Sequence, residues 1–391
     1  MYSRRTAWDR STNRLTQLLD RKRAAGDRIL DLTLTNPTQA GFSYSETEIL
    51  APLANSASLG YEPQPSGLLS ARQAVAATFA RRGVQVPPED ILLSASTSEA
   101  YSWLFKLLAD PGDEVLVPQP SYPLFDFLGR LEGIETVGYP LTLEDDWALD
   151  EAAVDRRITP RSRAVVVVSP NNPTGTYLKL EELKRLSALC DHRGLALIGD
   201  EVFADYPHAE DPRRAASVLG AQGPLVFSLG GLSKLAGLPQ LKLGWIALSG
   251  PQREKEEAKE RLELIADTFL SVNTPVQHAA PELLRAADGI RRQILGRIEG
   301  NHRSLREAIG TVSPFRVLRR EGGWTVVLQV PAIMTEEEWI LTLLSEAGVL
   351  VHPGYFFDFP TPTYLVLSLL PAPDIFREGV SRILATGEPK A

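Results

Sequence analysis

The sequence predicts an α/β fold: a three-layer large domain built on a mostly parallel sheet, plus a smaller α+β domain formed by the C-terminal part and the N-terminal segment. Three observations carry this. From about residue 90 to 249, short apolar stretches alternate with helical ones, the order that lays helices over the faces of a parallel sheet. The run from Ala164 to Val168 is continuously apolar and β-branched, as a strand covered on both faces requires. After Pro251 the pattern shifts, first to long helices and then to strands and helices in α+β order.

Taken in order, residues 9–25 place Leu15, Leu18 and Leu19 among charged residues at helical spacing, and Gly26 is a stop. A short strand at 29–34 meets Thr35-Asn36-Pro37-Thr38. Strands are expected at 91–95, 114–118, 163–169, 195–200, 225–228 and 244–249, with helices at 97–108, 122–132 and 180–193. Residues 251–308 read as long helices, and the charged run at 254–261 is a solvated face. Strands at 324–330, 349–352 and 364–370, a helix at 336–347 and a final helix complete the chain. The expected division is a large domain at 46–290 and a small one from 1–45 with 291–391.

Composition narrows the function. The chain has 391 residues, 43% apolar and 23% charged, ordinary for a soluble globular protein. A net charge of −8 gives no basic footprint for nucleic acid. No helix carries a Lys/Arg face and no run approaches membrane-spanning length, so no membrane partner is expected. The single cysteine, Cys190, excludes an internal disulfide and fits a reducing compartment. The N-terminus has no apolar signal-like stretch, and a cytoplasmic protein without a metal site is the expectation. No Gly-x-Gly-x-x-Gly follows a strand, which argues against a nicotinamide enzyme.

The most informative stretch runs from Ser228 to Trp245. An apolar strand enters a small-residue loop that presents Ser233 and Lys234, and Lys242 follows eight residues later, before the next strand. A desolvated lysine amine has a lowered pKa and is nucleophilic. Asp200 ends the strand at 195–200, and ligands of open α/β sheets bind at such carboxyl ends. A carboxylate placed there can hold a pyridine nitrogen protonated; alone, it reads equally as a helix cap or an ion-pair partner. Ser169-Pro-Asn-Asn172-Pro-Thr-Gly175 is, as bare chemistry, a turn. Ser96 and Glu99 have capping-box spacing, and the helix start they mark, with Thr97 and Ser98, offers free N–H groups to an anion. Tyr122 follows the next strand in Pro-Ser-Tyr-Pro, and Tyr61 lies in Gly-Tyr-Glu-Pro.

Together these segments resemble the class I/II aminotransferases, pyridoxal-phosphate (PLP) enzymes of fold type I, similar to aspartate aminotransferase. Six motifs fall in the family's order across about residues 30–370. The resemblance implies Lys234 as the Schiff-base lysine and Asp200 as the partner of the pyridine nitrogen. Asn172 is implied on the cofactor's phenolic oxygen, Tyr122 stacked on the ring, and Ser96, Thr97, Ser98, Ser233 and Lys242 around the phosphate. It also implies a homodimer in which Tyr61 reaches the neighbouring subunit's cofactor. The partners would be an amine or amino acid and a 2-oxo acid.

Four positions depart from the family. Lys242 stands where an arginine usually grips the phosphate, and lysine lacks the bidentate fork. Gly231 replaces a phosphate-binding serine, and Phe203 a tyrosine that bonds the phenolic oxygen. Val366 occupies the place of the arginine that binds the substrate α-carboxylate. Either other groups hold the carboxylate, with Asn36, Asn172, His352 and Tyr355 as candidates, or the substrate lacks one. The expected reaction is transamination. Alternatives are a PLP lyase or decarboxylase of the same fold, or a non-catalytic PLP-binding module.

Overall fold

The computed structural model describes residues 1–143, 146–310, 313–361 and 363–387. Its centre is an eight-stranded sheet in the order Ile91–Ser94, Gly244–Ser249, Val226–Gly231, Ala196–Asp200, Ser162–Val168, Glu114–Gln119, Glu135–Leu143, Trp147–Leu149. Neighbours from Val226–Gly231 to Glu135–Leu143 run parallel. Gly244–Ser249 is antiparallel to both of its neighbours, and Trp147–Leu149 folds back on Glu135–Leu143.

Alternation along each strand separates two apolar faces. Ile198, Phe227 and Ile246 pack with Leu104, Leu128 and Leu262, which belong to helices Thr97–Leu108, Leu124–Glu132 and Gln252–Phe269. On the opposite face Val165 and Leu197 meet Leu183 and Leu186 of helix Leu180–Arg193. Farther along that face, Ile91 and Trp245 meet Val75 of helix Leu69–Arg81 and Val276 and Leu283 of helix Thr274–Ile309. This is the three-layer arrangement the alternating pattern predicts. Each fully buried leucine, isoleucine or phenylalanine contributes about 1.5–3 kcal/mol, so the sheet is held from both sides.

A second, four-stranded antiparallel sheet has the order Arg316–Val317, Thr325–Gln329, Tyr364–Ser368, His352–Pro353. The N-terminal segment packs beside it: Leu30–Asp31 and Val349–Leu350 form a separate two-stranded parallel sheet, and Leu15, Leu30 and Leu32 share a core with Val326, Leu365 and Phe376. Helix Thr274–Ile309 is 36 residues long and serves both cores. Val276 to Ala287 face the large-sheet core, whereas Ile290, Ile294, Ile298 and Leu305 face the small-sheet core.

Three local outcomes differ from the sequence reading. The strand expected at 225–228 continues to Gly231, so Lys234 sits on a single helical turn, Leu232–Leu235, rather than in a loop. The Glu135–Leu143 and Trp147–Leu149 hairpin was not anticipated. Gly138 and Pro140 interrupt its apolar pattern, yet Pro140 still pairs with Gln119 in the register. The strand at 29–34 shortens to Leu30–Asp31 because the Asp31 carboxylate accepts from the Thr33 N–H at 2.8 Å and turns the chain.

Candidate active site

Strand register assembles the site. Val168 pairs with Asp200 and Asp200 with Leu229, while Gly231 pairs with Gly244 and Gly244 with Ser94. The segments Ser94–Ser98, Gln119–Tyr122, Ser169–Asn172 and Gly231–Lys234 therefore leave one edge of the sheet beside Asp200, at the carboxyl ends of the parallel strands.

Lys234 is partly buried between aromatic rings. Its Nζ lies 5.1 Å from the Trp324 ring centroid and 5.5 Å from that of Phe203. Those rings meet edge to face at 5.2 Å, and Tyr206 closes on Trp324 at 5.2 Å while its Oη donates to the Lys234 carbonyl at 2.6 Å. The backbone is thus fixed while the amine makes no hydrogen bond or ion pair among the described residues. Burial lowers its pKa below the ordinary lysine value, and the negative charge of Asp200 partly opposes that shift.

Asp200 is held from two sides. Its Oδ1 accepts from the Val202 N–H at 3.2 Å and its Oδ2 from the Tyr101 hydroxyl at 3.1 Å. Burial pushes its pKa up to about 6, against the pull of those two hydrogen bonds and Lys234, with Glu201 adding to the rise. Tyr101 itself is pushed well above its ordinary value, first by burial and then by Asp200. Sequence reasoning missed Tyr101. The available signal was its place one turn into the helix that Ser96 caps, on the face toward the sheet.

At that helix start the Ser96 Oγ accepts from Glu99 N at 3.1 Å, and Glu99 reaches back to Ala95 N at 2.6 Å. The first-turn N–H groups of Thr97 and Ser98 have no helical acceptor and are open to an anion. Gly244 makes this close approach possible: a Cβ there would lie 2.9 Å from Ser94 Oγ and 3.1 Å from Thr97 N. Ser233 is partly buried next to Lys234, and Lys242 is exposed in a left-handed conformation at φ 52°.

The two asparagines divide their tasks. Asn171 is buried and spent, its Nδ2 on Pro120 O at 3.2 Å and its Oδ1 accepting from the Thr174 hydroxyl at 2.9 Å. The partly buried Asn172 side chain makes no hydrogen bond among the described residues. Tyr122 is 49% exposed and Tyr61 73% exposed. Two contacts bring the small sheet onto these loops: Thr325 Oγ1 donates to Pro173 O at 3.0 Å, and Ser121 N donates to Phe357 O at 2.9 Å.

Of the substrate-side candidates, Asn36 uses its Oδ1 on the Thr38 hydroxyl at 2.7 Å. Tyr355 is 45% exposed, one residue from Phe356, whose ring it meets at 5.1 Å. Val366 is 1% exposed and pairs with both Val327 and His352, so the small sheet presents an apolar residue there. Burial lowers the His352 pKa.

The residues present fit PLP. An unpaired, desolvated amine suits its aldehyde, an acid at a strand end its ring nitrogen, an open helix start its phosphate, and an unspent amide its phenolic oxygen. No group of three His, Cys, Asp or Glu is placed to hold a metal among the described residues.

Comparison with known proteins agrees. The family profile "Aminotransferase class I and II" matches residues 48–374. The glutamate-pyruvate aminotransferase AlaA of Escherichia coli K12 is 28% identical over 364 residues, covering 91% of this chain and 90% of the relative. The alanine aminotransferase of Mycobacterium tuberculosis H37Rv is 29% identical over 383 residues, covering 90% and 83%. Among solved structures, an aminotransferase from Escherichia coli superposes with a TM-score of 0.86 at 26% identity, over 98% of this chain and 97% of that one. An alanine aminotransferase from Pyrococcus furiosus shares the fold at a TM-score of 0.88 and 24% identity, over 99% of each. With a family profile over most of its length and a desolvated lysine facing an acid at the strand ends, the chain belongs to the class I and II aminotransferases, PLP-dependent enzymes of transamination.

Proposed function

We propose that the reaction runs at Lys234 and Asp200, and that it moves the amino group of an amino acid to a 2-oxo acid. The observation that carries this reading is the Lys234 amine, desolvated and unpaired, beside an acid held by Tyr101. Bound PLP supplies an electron sink that lets a proton leave the carbon bearing the amino group.

The chain supplies the rest. Lys234 Nζ, with its pKa lowered, would accept that proton and return it two atoms along on the same face, as a general acid/base on a flexible four-carbon stem. Asp200 keeps a negative oxygen where a protonated ring nitrogen is stabilised. Asn172 would donate to the phenolic oxygen, a task it would carry alone because Phe203 has no hydroxyl. Phe203 and Trp324 exclude water from Nζ, which strengthens its electrostatics. Ser96, Thr97, Ser98, Ser233 and Lys242 would hold the phosphate, and Tyr122 would cover the ring.

Alanine and glutamate are the first donors to test, given the names of the relatives above. Val366 is apolar, so the α-carboxylate falls to Asn172 and Tyr355, with Asn36 at the N-terminal side. Exposed Leu59, Tyr61, Leu264 and Phe269 support a homodimer with shared sites. The switch of core between Ala287 and Ile290 supports domains at 46–290 and at 1–45 with 291–391. Cytoplasmic action fits the lone thiol, Cys190, whose pKa burial pushes up to about 12.

A donor and acceptor screen on the PLP-loaded protein, with Lys234→Ala as control, tests the reading. Expected is stoichiometric appearance of a new amino acid and a new 2-oxo acid, lost in the variant. Release of CO2 or ammonia in place of transfer, or turnover by Lys234→Ala at the parent rate, would sink it.

A further inference from the structure

The Asn172 side chain has no hydrogen-bond partner among the described residues, so the backbone of its loop alone aims the amide. Within that loop Asn171 N donates to Thr176 O at 2.8 Å and Gly175 N to Asn171 O at 2.7 Å. These bonds close the turn on itself without fixing how the turn sits. Its outgoing arm, from Gly175 to Lys179, rests against residues 321–325, which lead into and begin strand Thr325–Gln329 of the four-stranded sheet.

Glu321 is the centre of that contact. Its Oε2 accepts from Tyr177 N at 2.8 Å and is paired with Lys179 Nζ, while its own N–H donates to Gly175 O at 3.2 Å. The Lys179 and Glu321 side chains are 20% and 11% exposed, so this is not a solvated surface pair. A carboxylate bonded to a backbone N–H and an ammonium is a stronger anchor than a neutral hydrogen bond. Four residues on, Thr325 Oγ1 donates to Pro173 O at 3.0 Å, directly beside Asn172.

The same short segment is pinned to a second loop, the one that follows Asp200. Glu321 O accepts from His208 N at 2.7 Å, Gly323 N donates to Tyr206 O at 3.0 Å, and Gly322 bridges to Pro207. The approach is close: a Cβ on Gly322 would lie 2.6 Å from Tyr206 O. Glu321 therefore sits on a fixed backbone, and its carboxylate is a fixed point to which the Asn172 loop is tied.

We propose that Glu321 is a positioning residue for the reaction: its carboxylate holds the arm Gly175–Lys179 and thereby sets the direction of the Asn172 amide. It acts through the backbone and not on the reacting atoms. The proposal rests on the assignment of Asn172 to the cofactor's phenolic oxygen.

The test reads the pH midpoint of the visible absorbance of PLP-loaded protein, which an N–H donated to the ionised phenolic oxygen lowers. Asn172→Ala should raise the midpoint by about 1–2 units, the worth of a hydrogen bond to a charged oxygen. Glu321→Gln keeps the shape and removes the charge; it should raise the midpoint by about half a unit and add nothing in the Asn172→Ala background, since both changes act through one bond. Exchange of the Tyr177 amide hydrogen should quicken about tenfold in Glu321→Gln. Should that variant fail to fold, Glu321→Asp, whose carboxylate is one methylene shorter, carries the same test. A midpoint within about 0.2 unit of the parent, a Tyr177 amide exchanging at the parent rate, or a shift that persists undiminished in the Asn172→Ala background overturns the proposal and leaves Asn172 in its role. An Asn172→Ala midpoint equal to the parent's removes both.

Discussion

Replacing Asp200 with asparagine separates what this acid does for the fold from what it does for the cofactor. Burial raises its pKa from 3.8 to about 6 in the chain without ligand. An acid whose folded-state value exceeds its unfolded value takes up a proton on folding, so its charge destabilises the native state. That penalty is absent below about pH 4, grows between pH 4 and 6, and is complete above that window. Two pKa units correspond to about 3 kcal/mol, an upper figure because the Tyr101 and Val202 bonds reorganise in the variant. In urea unfolding of PLP-free protein at pH 8, Asp200→Asn should be more stable by about 2–3 kcal/mol, and at pH 4 nearly equal to the parent. The same variant should lose PLP-dependent turnover by several orders of magnitude. An identical stability difference at both pH values would refute the argument, since a titrating carboxyl cannot produce it.

Other residues give sharper readouts. Tyr101→Phe removes the hydroxyl that lowers the Asp200 pKa, so the acid limb of the pH–rate profile should move upward; an unmoved limb would show that Tyr101 does not act through Asp200. Gly244→Ala sets a Cβ 2.9 Å from the Ser96 backbone and should destabilise the chain by about 1–3 kcal/mol while weakening PLP binding; both are read by thermal unfolding and PLP titration, and unchanged values count against a close approach. Lys242→Gly relieves a left-handed backbone and should stabilise PLP-free protein by about 1 kcal/mol yet weaken PLP affinity; a variant with full affinity would remove Lys242 from the phosphate site.

Much of the large sheet was legible because its central strands carry their signal locally. The β-branched run at Ala164–Val168 suits a strand covered on both faces, and helices 97–108 and 180–193 end where their caps and Gly194 require. The hairpin at Glu135–Leu143 was not legible, because Pro140 tolerates its place only through a neighbour far away in sequence. Strand order was hidden for the same reason: Gly244–Ser249 inserts between Ile91–Ser94 and Val226–Gly231, a pairing no local pattern encodes. At the site, Lys234 and Asp200 stood out by residue type. Tyr101 and Trp324 did not, since an aromatic in a helix or strand reads as core until its neighbours are known. The Asn36 oxygen is likewise engaged by the Thr38 hydroxyl, a bond that residue type alone does not fix.

The long helix Thr274–Ile309 has a mechanical consequence. At 1.5 Å per residue it is a rod of about 54 Å, and its two halves are clamped into different cores. A tilt of the small sheet over the cofactor loops must therefore bend or roll this rod, so the motion is stiff and confined to few directions. Loosening either clamp frees the other end as well, and the two cores should melt as a single cooperative unit.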